Sequence, residues 1–149
     1  MGHGSAEERD AKSKLGADSS KCLNFYTGGL VAGLLGWATF PFDLAGDPIL
    51  DGVVMLDESL PEGNAAPYNL GMTGIHEVGH WLGLYHTFHS GCGNDNCLLD
   101  GDRVCDTPPD WTMAEAPCNV DENSCFTDAD DASANNPFTT DVNDMRENY

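Results

Sequence analysis

The period at which hydrophobic and polar residues alternate changes along the chain, and each change marks an element. Ala6–Leu15 (AEERDAKSKL) reads as a short amphipathic helix, with Ser5 placed to cap it and Glu7 and Glu8 in the first turn. Gly16 to Lys21 is a connector. Leu23 to Thr27 alternates in part, which predicts a strand. A glycine-punctuated stretch then leads into Leu34-Leu35-Gly36-Trp37-Ala38-Thr39-Phe40, and Pro41 ends it. An apolar run closed by proline suits a strand at a sheet edge. Asp51-Gly52 turns into Val53–Leu56, whose unbroken apolar run predicts an inner strand. Asp57 to Pro67 is a polar loop. Asn69 to Leu82 predicts a second helix, buried on most sides. Met72, Ile75, Val78 and Leu82 form its apolar stripe, and Gly71, Gly74 and Gly79 allow close packing elsewhere. From Thr87 onward regular patterning vanishes. Turn signals follow at Asn94-Asp95, Asp100-Gly101, Thr107-Pro108-Pro109 and Asn135-Asn136-Pro137. So long an irregular stretch needs an outside constraint.

Composition narrows the classes. A chain of 149 residues, 40% hydrophobic, is long enough for one globular domain with a real core, and no apolar run approaches the ~20 residues of a membrane span. The formal charge is -19. Arg9, Lys12, Lys14 and Lys21 hold most of the positive charge, while the acidic residues crowd the stretch from Asp95 to Tyr149. Such a surface repels nucleic acid and anionic membrane, which excludes both as partners. A solvated acidic face of a secreted protein is the default reading, and basic peptides or divalent cations are what it would attract. Five of the six cysteines (Cys92, Cys97, Cys105, Cys118, Cys125) follow the second helix and none forms a CxxC pair. Disulfides in an oxidising compartment fit better than a structural zinc site. Cys22 has no local partner and is expected to be a free buried thiol. The N-terminus has no apolar signal core, so a secreted protein with this start implies that Met1 is not the natural start or that the chain is a fragment.

The second helix carries the chemistry. His76 and His80 lie four residues apart, roughly one turn, so both imidazoles share a face and suit one zinc ion. Glu77 is rotated ~100° from His76, which places it better to handle the proton of a water than to serve as a third ligand. His86 would sit ~120° off that face on a continuous helix, so it joins the site only if the helix stops. Gly83 lies where the stop is needed. Three histidines with a fourth position open are the pattern of a catalytic zinc.

His76-Glu-Val-Gly-His-Trp-Leu-Gly-Leu-Tyr-His86 fits HExxHxxGxxH, the metzincin signature. Continued through Thr87-Phe88, it resembles the pappalysin family, in its ulilysin-like branch. So do Gly33-Leu-Leu-Gly-Trp-Ala-Thr-Phe-Pro41, Asp51-Gly-Val-Val54, Ala66-Pro-Tyr-Asn-Leu70 and Gly101-Asp-Arg-Val-Cys-Asp-Thr-Pro108. The resemblance implies an α+β, metzincin-like zincin catalytic domain: a twisted mixed sheet, an active-site helix and a loop-rich C-terminal part. One partial domain over 1–149 is expected, with the sheet and helices in 1–86 and the cysteine-rich acidic loops in 87–149. It implies a secreted zinc endopeptidase acting on protein or peptide substrates, with His76, His80 and His86 as ligands and Glu77 as general base. It also implies that Leu34, Leu35 and Gly36 lie on an edge strand that pairs with extended substrate, although an ordinary strand reads equally well from the residues. By the family pattern Cys92 pairs with Cys125, and Cys97 with Cys105 in a short local loop, leaving Cys118 over.

Two expectations remain. Asp100 to Thr107 packs three carboxylates, a hydroxyl and backbone carbonyls into eight residues, a mixture that suits calcium and equally a solvated turn. Similarity to the family's calcium loop favours the ion, held first by Asp102 and Thr107. The family's methionine turn and final helix have no counterpart before Tyr149, nor do the strands ahead of its first helix, so the chain is expected to be the middle of a peptidase domain. A different class of function therefore stands beside the peptidase: a zinc-stabilised module that binds metal or peptide without turnover.

Overall fold

The structure, a computed structural model, describes residues 1–112 and 121–145. The chain forms two compact units, Met1–Gly83 and Leu84–Tyr149.

The first unit holds the regular elements. Helix α1 spans Ala6–Leu15, and the Ser5 hydroxyl caps it by accepting from the Glu8 N–H at 3.1 Å. Strands β1 (Phe25–Gly28), β2 (Gly36–Ala38) and β3 (Val53–Leu56) form one mixed sheet in the order β1-β3-β2, as expected of an α+β fold. β3 runs parallel to β1 and antiparallel to β2. Flanked on both sides, β3 buries Val53, Val54 and Met55 almost completely, which is what an unbroken apolar run predicts for a central strand.

Both outer strands differ from their predicted bounds. β1 starts at Phe25; just before it the Asn24 carbonyl accepts from Val53 N–H of β3 at 2.9 Å, while the Asn24 side chain is engaged by the connector, accepting from Ala17 N–H at 2.8 Å and donating to the Ala17 carbonyl at 3.0 Å. β2 is shorter than the Leu34–Phe40 run, and Leu34 and Leu35 precede it. Leu35 still lends its carbonyl to Leu56 N–H at 2.7 Å, whereas Leu34 is exposed. The loop after β3 opens with a single 3₁₀ turn, Asp57–Ser59. Cys22 is a free thiol, but it is exposed, in a turn outside the core.

Helix α2 spans Met72–Trp81 and packs on β2 and β3. Its buried face is not the predicted apolar stripe. Met72 and Ile75 are each 61% exposed and Leu82 66%, while Thr73, Gly74, Glu77, Gly79 and His80 are buried. The reason is separation. A Cβ on Gly74 would lie 3.2 Å from Phe25 and 3.3 Å from Met55, so the helix lies too close to the sheet for a larger residue there. Small residues set that distance; Met72, Ile75 and Leu82 point away, and Val78 is half-buried.

Between α1 and the sheet lies an ion pair that reads in sequence as an ordinary solvated i,i+4 couple. Glu8 and Lys12 are fully buried, 2.8 Å apart. Glu8 also accepts from Trp37 Nε1 at 2.8 Å and Gly4 N–H at 2.6 Å, and Lys12 donates to the Leu50 carbonyl at 2.6 Å.

The second unit has no helix or strand among its described residues. Disulfides Cys92–Cys125 and Cys97–Cys105 cross-link it, and Cys118 lies outside the described residues. Carboxylates replace the missing ladders. Asp100 accepts from Asp95 and Asn96 N–H, Asp131 from Cys97, Asp128 from Val142 and Asp144 from Ser124, all at 2.7–3.0 Å. Asp110, Asp128, Asp131 and Asp144 are buried, so part of the expected solvated acidic face is an internal scaffold for backbone amides. No helix among the described residues is long and apolar enough to cross a membrane.

Candidate metal centre

α2 delivers two histidines to one point. The Nε2 atoms of His76 and His80 lie 3.0 Å apart, with the rings edge to face. Two ligands of one tetrahedral zinc stand about 3.3 Å apart, so the pair needs little adjustment to share an ion. The Phe40 ring packs 5.6 Å from that of His80 and helps to fix its orientation.

The helix then stops. Gly83 N–H bonds the His80 carbonyl at 2.9 Å, and Gly83 takes φ 102°, a backbone conformation that side-chain-bearing residues rarely adopt. The chain turns, and within these eleven consecutive residues His76, His80 and His86 each bring a ring nitrogen within 4.8 Å of the other two. Three neutral imidazoles of this spacing are a donor set suited to zinc, so the residues fit the ion that the metzincin pattern implies.

Glu77 lies on the sheet side of α2 and is 6% exposed. Burial pushes its carboxyl up to about 7. A carboxylate so placed can accept a proton and release it again near neutral pH. His89, three residues past His86, is exposed and packs its ring against Tyr85 at 4.9 Å.

The other candidate residues are dispersed. Of Leu34, Leu35 and Gly36, only Gly36 is part of β2, which is an edge strand of the sheet. Asp102 sits in the second unit, in a small hollow shared with Asn94, Asp100, Thr107 and Pro109. Burial pushes its carboxyl up, as does Asp106 to a smaller extent, while bonds from Val104 N–H and the Thr107 hydroxyl pull it down.

Sequence reasoning missed one support of the site. The turn residue Asp51 is buried, and its Oδ1 accepts from Trp81 Nε1 and from the Thr39 hydroxyl, each at 3.1 Å. It therefore ties the end of α2, next to His80, to the sheet. The only signal was an acidic residue and a glycine before an apolar strand, which also describes any turn.

Comparison with known proteins agrees with this geometry. The family described as pregnancy-associated plasma protein-A matches residues 18–149. An extracellular metalloprotease of Arthroderma otae is 43% identical over 122 residues, covering 80% of this chain and 43% of that protein. Extracellular metalloprotease 1 of Coccidioides posadasii is 43% identical over 106 residues, covering 69% and 36%. Among solved structures, mature mirolysin of Tannerella forsythia in complex with a cleaved peptide superposes with a TM-score of 0.68 at 30% identity, covering 97% of this chain and 51% of that one. The chain thus spans less than half the length of these curated relatives and about half that of mirolysin. With the family matched over most of its length and the histidine cluster in place, the chain belongs to the pappalysin family of metzincin zinc metallopeptidases.

Proposed function

We propose that this chain carries the catalytic centre of a secreted, zinc-dependent endopeptidase. The observation that carries the reading is the convergence of three histidine nitrogens, with a buried carboxylate on the residue after the first of them. His76, His80 and His86 hold the ion. Zinc, when bound, supplies a Lewis acid for the scissile carbonyl and lowers the pKa of water toward ~7. Glu77 takes the proton of the attacking water and gives it to the amine nitrogen as the peptide bond breaks. Burial of Glu77 keeps its carboxyl within reach of that exchange. Gly36, at the start of the edge strand, lies where an extended substrate adds a further strand, with Leu34 and Leu35 just upstream. The substrates are proteins or peptides. Extracellular action is supported by the relatives' names and by two disulfides, which persist in oxidising compartments.

The test is zinc stoichiometry together with cleavage of a denatured protein substrate. Wild type binds one zinc and cleaves; Glu77→Gln binds one zinc and does not. Zinc binding without cleavage by the wild-type chain would replace the peptidase by the metal- or peptide-binding module.

Calcium belongs to the same reading. Asp102, pushed toward its neutral form by burial and bonded by Thr107, sits where a divalent cation would stabilise the charge. The ion would brace the irregular loop without entering the chemistry. Thermal unfolding with zinc held fixed should rise at millimolar calcium, and Asp102→Ala should abolish the rise.

A further inference from the structure

The strand beneath Glu77 has a gap where a side chain would be. Gly36 opens β2 and pairs with Met55 of β3. A Cβ on Gly36 would lie 2.8 Å from Glu77 Cγ, 2.9 Å from Glu77 Oε1 and 2.9 Å from the Val54 carbonyl oxygen. Real Cβ atoms essentially never come that close to their neighbours. Gly36 is not among the residues with positive φ, so its backbone would accept any residue; space is what demands glycine.

We propose that Gly36 is a positioning residue for Glu77, its missing side chain forming the slot in which the carboxylate of the general base lies. None of the three neighbours can move aside cheaply. The Val54 carbonyl belongs to the central strand, where Val54 and its neighbours Val53 and Met55 are buried. Glu77 Cγ is midway along a buried side chain, two bonds from the backbone of a helix that Gly74 already holds tight against Phe25 and Met55. A methyl group on Gly36 therefore shifts the carboxylate, and a shift of one ångström at a proton-transferring group is enough to slow catalysis strongly. β2 is itself fixed from the far side: the next residue, Trp37, donates its indole N–H to Glu8. The floor of the slot is thus held by α1, which has no part in the chemistry.

The catalytic half of this inference rests on the peptidase reading; the steric half does not. The experiment is a double-mutant cycle in urea on the zinc-loaded chain: wild type, Gly36→Ala, Glu77→Ala and the double variant. Gly36→Ala should lower the unfolding midpoint in the wild-type background and by less than half as much in Glu77→Ala, where the emptied slot receives the methyl. Equal shifts in both backgrounds would make Val54, and not Glu77, the obstacle and overturn the proposal. Should Gly36→Ala fail to fold, a double variant that folds supports the proposal and one that also fails overturns it. Where the wild-type chain cleaves peptide, Gly36→Ala should keep its zinc while kcat falls at least tenfold, a larger factor than any change in KM; an unchanged kcat overturns the positioning role. A wild-type chain that binds zinc without cleaving defeats the peptidase reading and leaves the cycle to be read by itself.

Discussion

Removing Glu8 should destabilise the first unit more than any ordinary surface change to an acidic residue. In Glu8→Ala, Lys12 keeps the Leu50 carbonyl and a position 5.4 Å over the Tyr26 ring, but it loses a carboxylate at 2.8 Å while remaining buried. Trp37 Nε1 and Gly4 N–H lose their acceptor as well. Breaking one side of a buried pair costs about 3–5 kcal/mol, a large share of the roughly 5–15 kcal/mol that holds a domain together. Replacing both charges, as in Glu8→Gln with Lys12→Met, leaves no unbalanced charge and should cost less than Glu8→Ala alone. The assay is urea unfolding followed by tryptophan fluorescence, with zinc present throughout. The pair also sets a pH response. Burial pushes the Glu8 carboxyl up, but Lys12, Trp37 and Gly4 together pull harder the other way, so it lies below the ordinary glutamate value. A depressed carboxyl contributes stability above the unfolded pKa of ~4.3 and loses it as pH falls through the folded value. Wild type should therefore shed stability on acidification in a range where Glu8→Gln does not. A cost below about 1 kcal/mol for Glu8→Ala, or a double variant less stable than the single, would refute this account of the pair.

The remaining predictions concern the centre and the loops. His86→Ala should weaken zinc binding by at least about 100-fold and His89→Ala by less than about threefold, read by competition with a chelator; equal losses would reassign the third ligand. Replacing Cys92 and Cys125 by serine opens a loop of separation 33, against 8 for Cys97 and Cys105, so the first pair should cost about 4 kcal/mol and the second about 2.5. Urea midpoints in the opposite order would show that loop entropy does not govern this unit. Asp128 Oδ1 is buried with no hydrogen-bond partner, and burial pushes its carboxyl up, with Asp141, Asp144 and Asp130 adding to the effect. A raised carboxyl pKa contributes stability as pH falls, so Asp128→Asn should change stability at neutral pH by no more than about 1 kcal/mol and abolish that acid-side gain. Asp131, held below its ordinary value by the Cys97 and Ser133 amides, has the opposite sign, and Asp131→Asn should destabilise at neutral pH.

What the amino-acid order determined by itself is local. Ser5 followed by Glu7 and Glu8 caps α1 through short-range hydrogen bonds, and Val53–Leu56 enters the core because nothing polar interrupts it. The spacing of His76 and His80, with a glycine at 83 to end the helix, brings His86 back because helix geometry and positive φ are properties of a few neighbouring residues. Only the tertiary structure decided which face of α2 is buried. Periodicity locates a stripe at Met72, Ile75, Val78 and Leu82, but the distance between helix and sheet chose the glycine-rich face instead, leaving only Val78 of the stripe half-buried. The same holds for Glu8 and Lys12, whose i,i+4 spacing is identical whether a helix side is wet or covered, and for Gly36, whose purpose shows only once Glu77 lies against it. Asp128, Asp131 and Asp144 read as surface charge until the amides that they receive come from residues 14 to 34 positions away. Burial and long-range hydrogen bonds depend on what arrives from elsewhere in the chain, and no window of neighbouring residues contains that information.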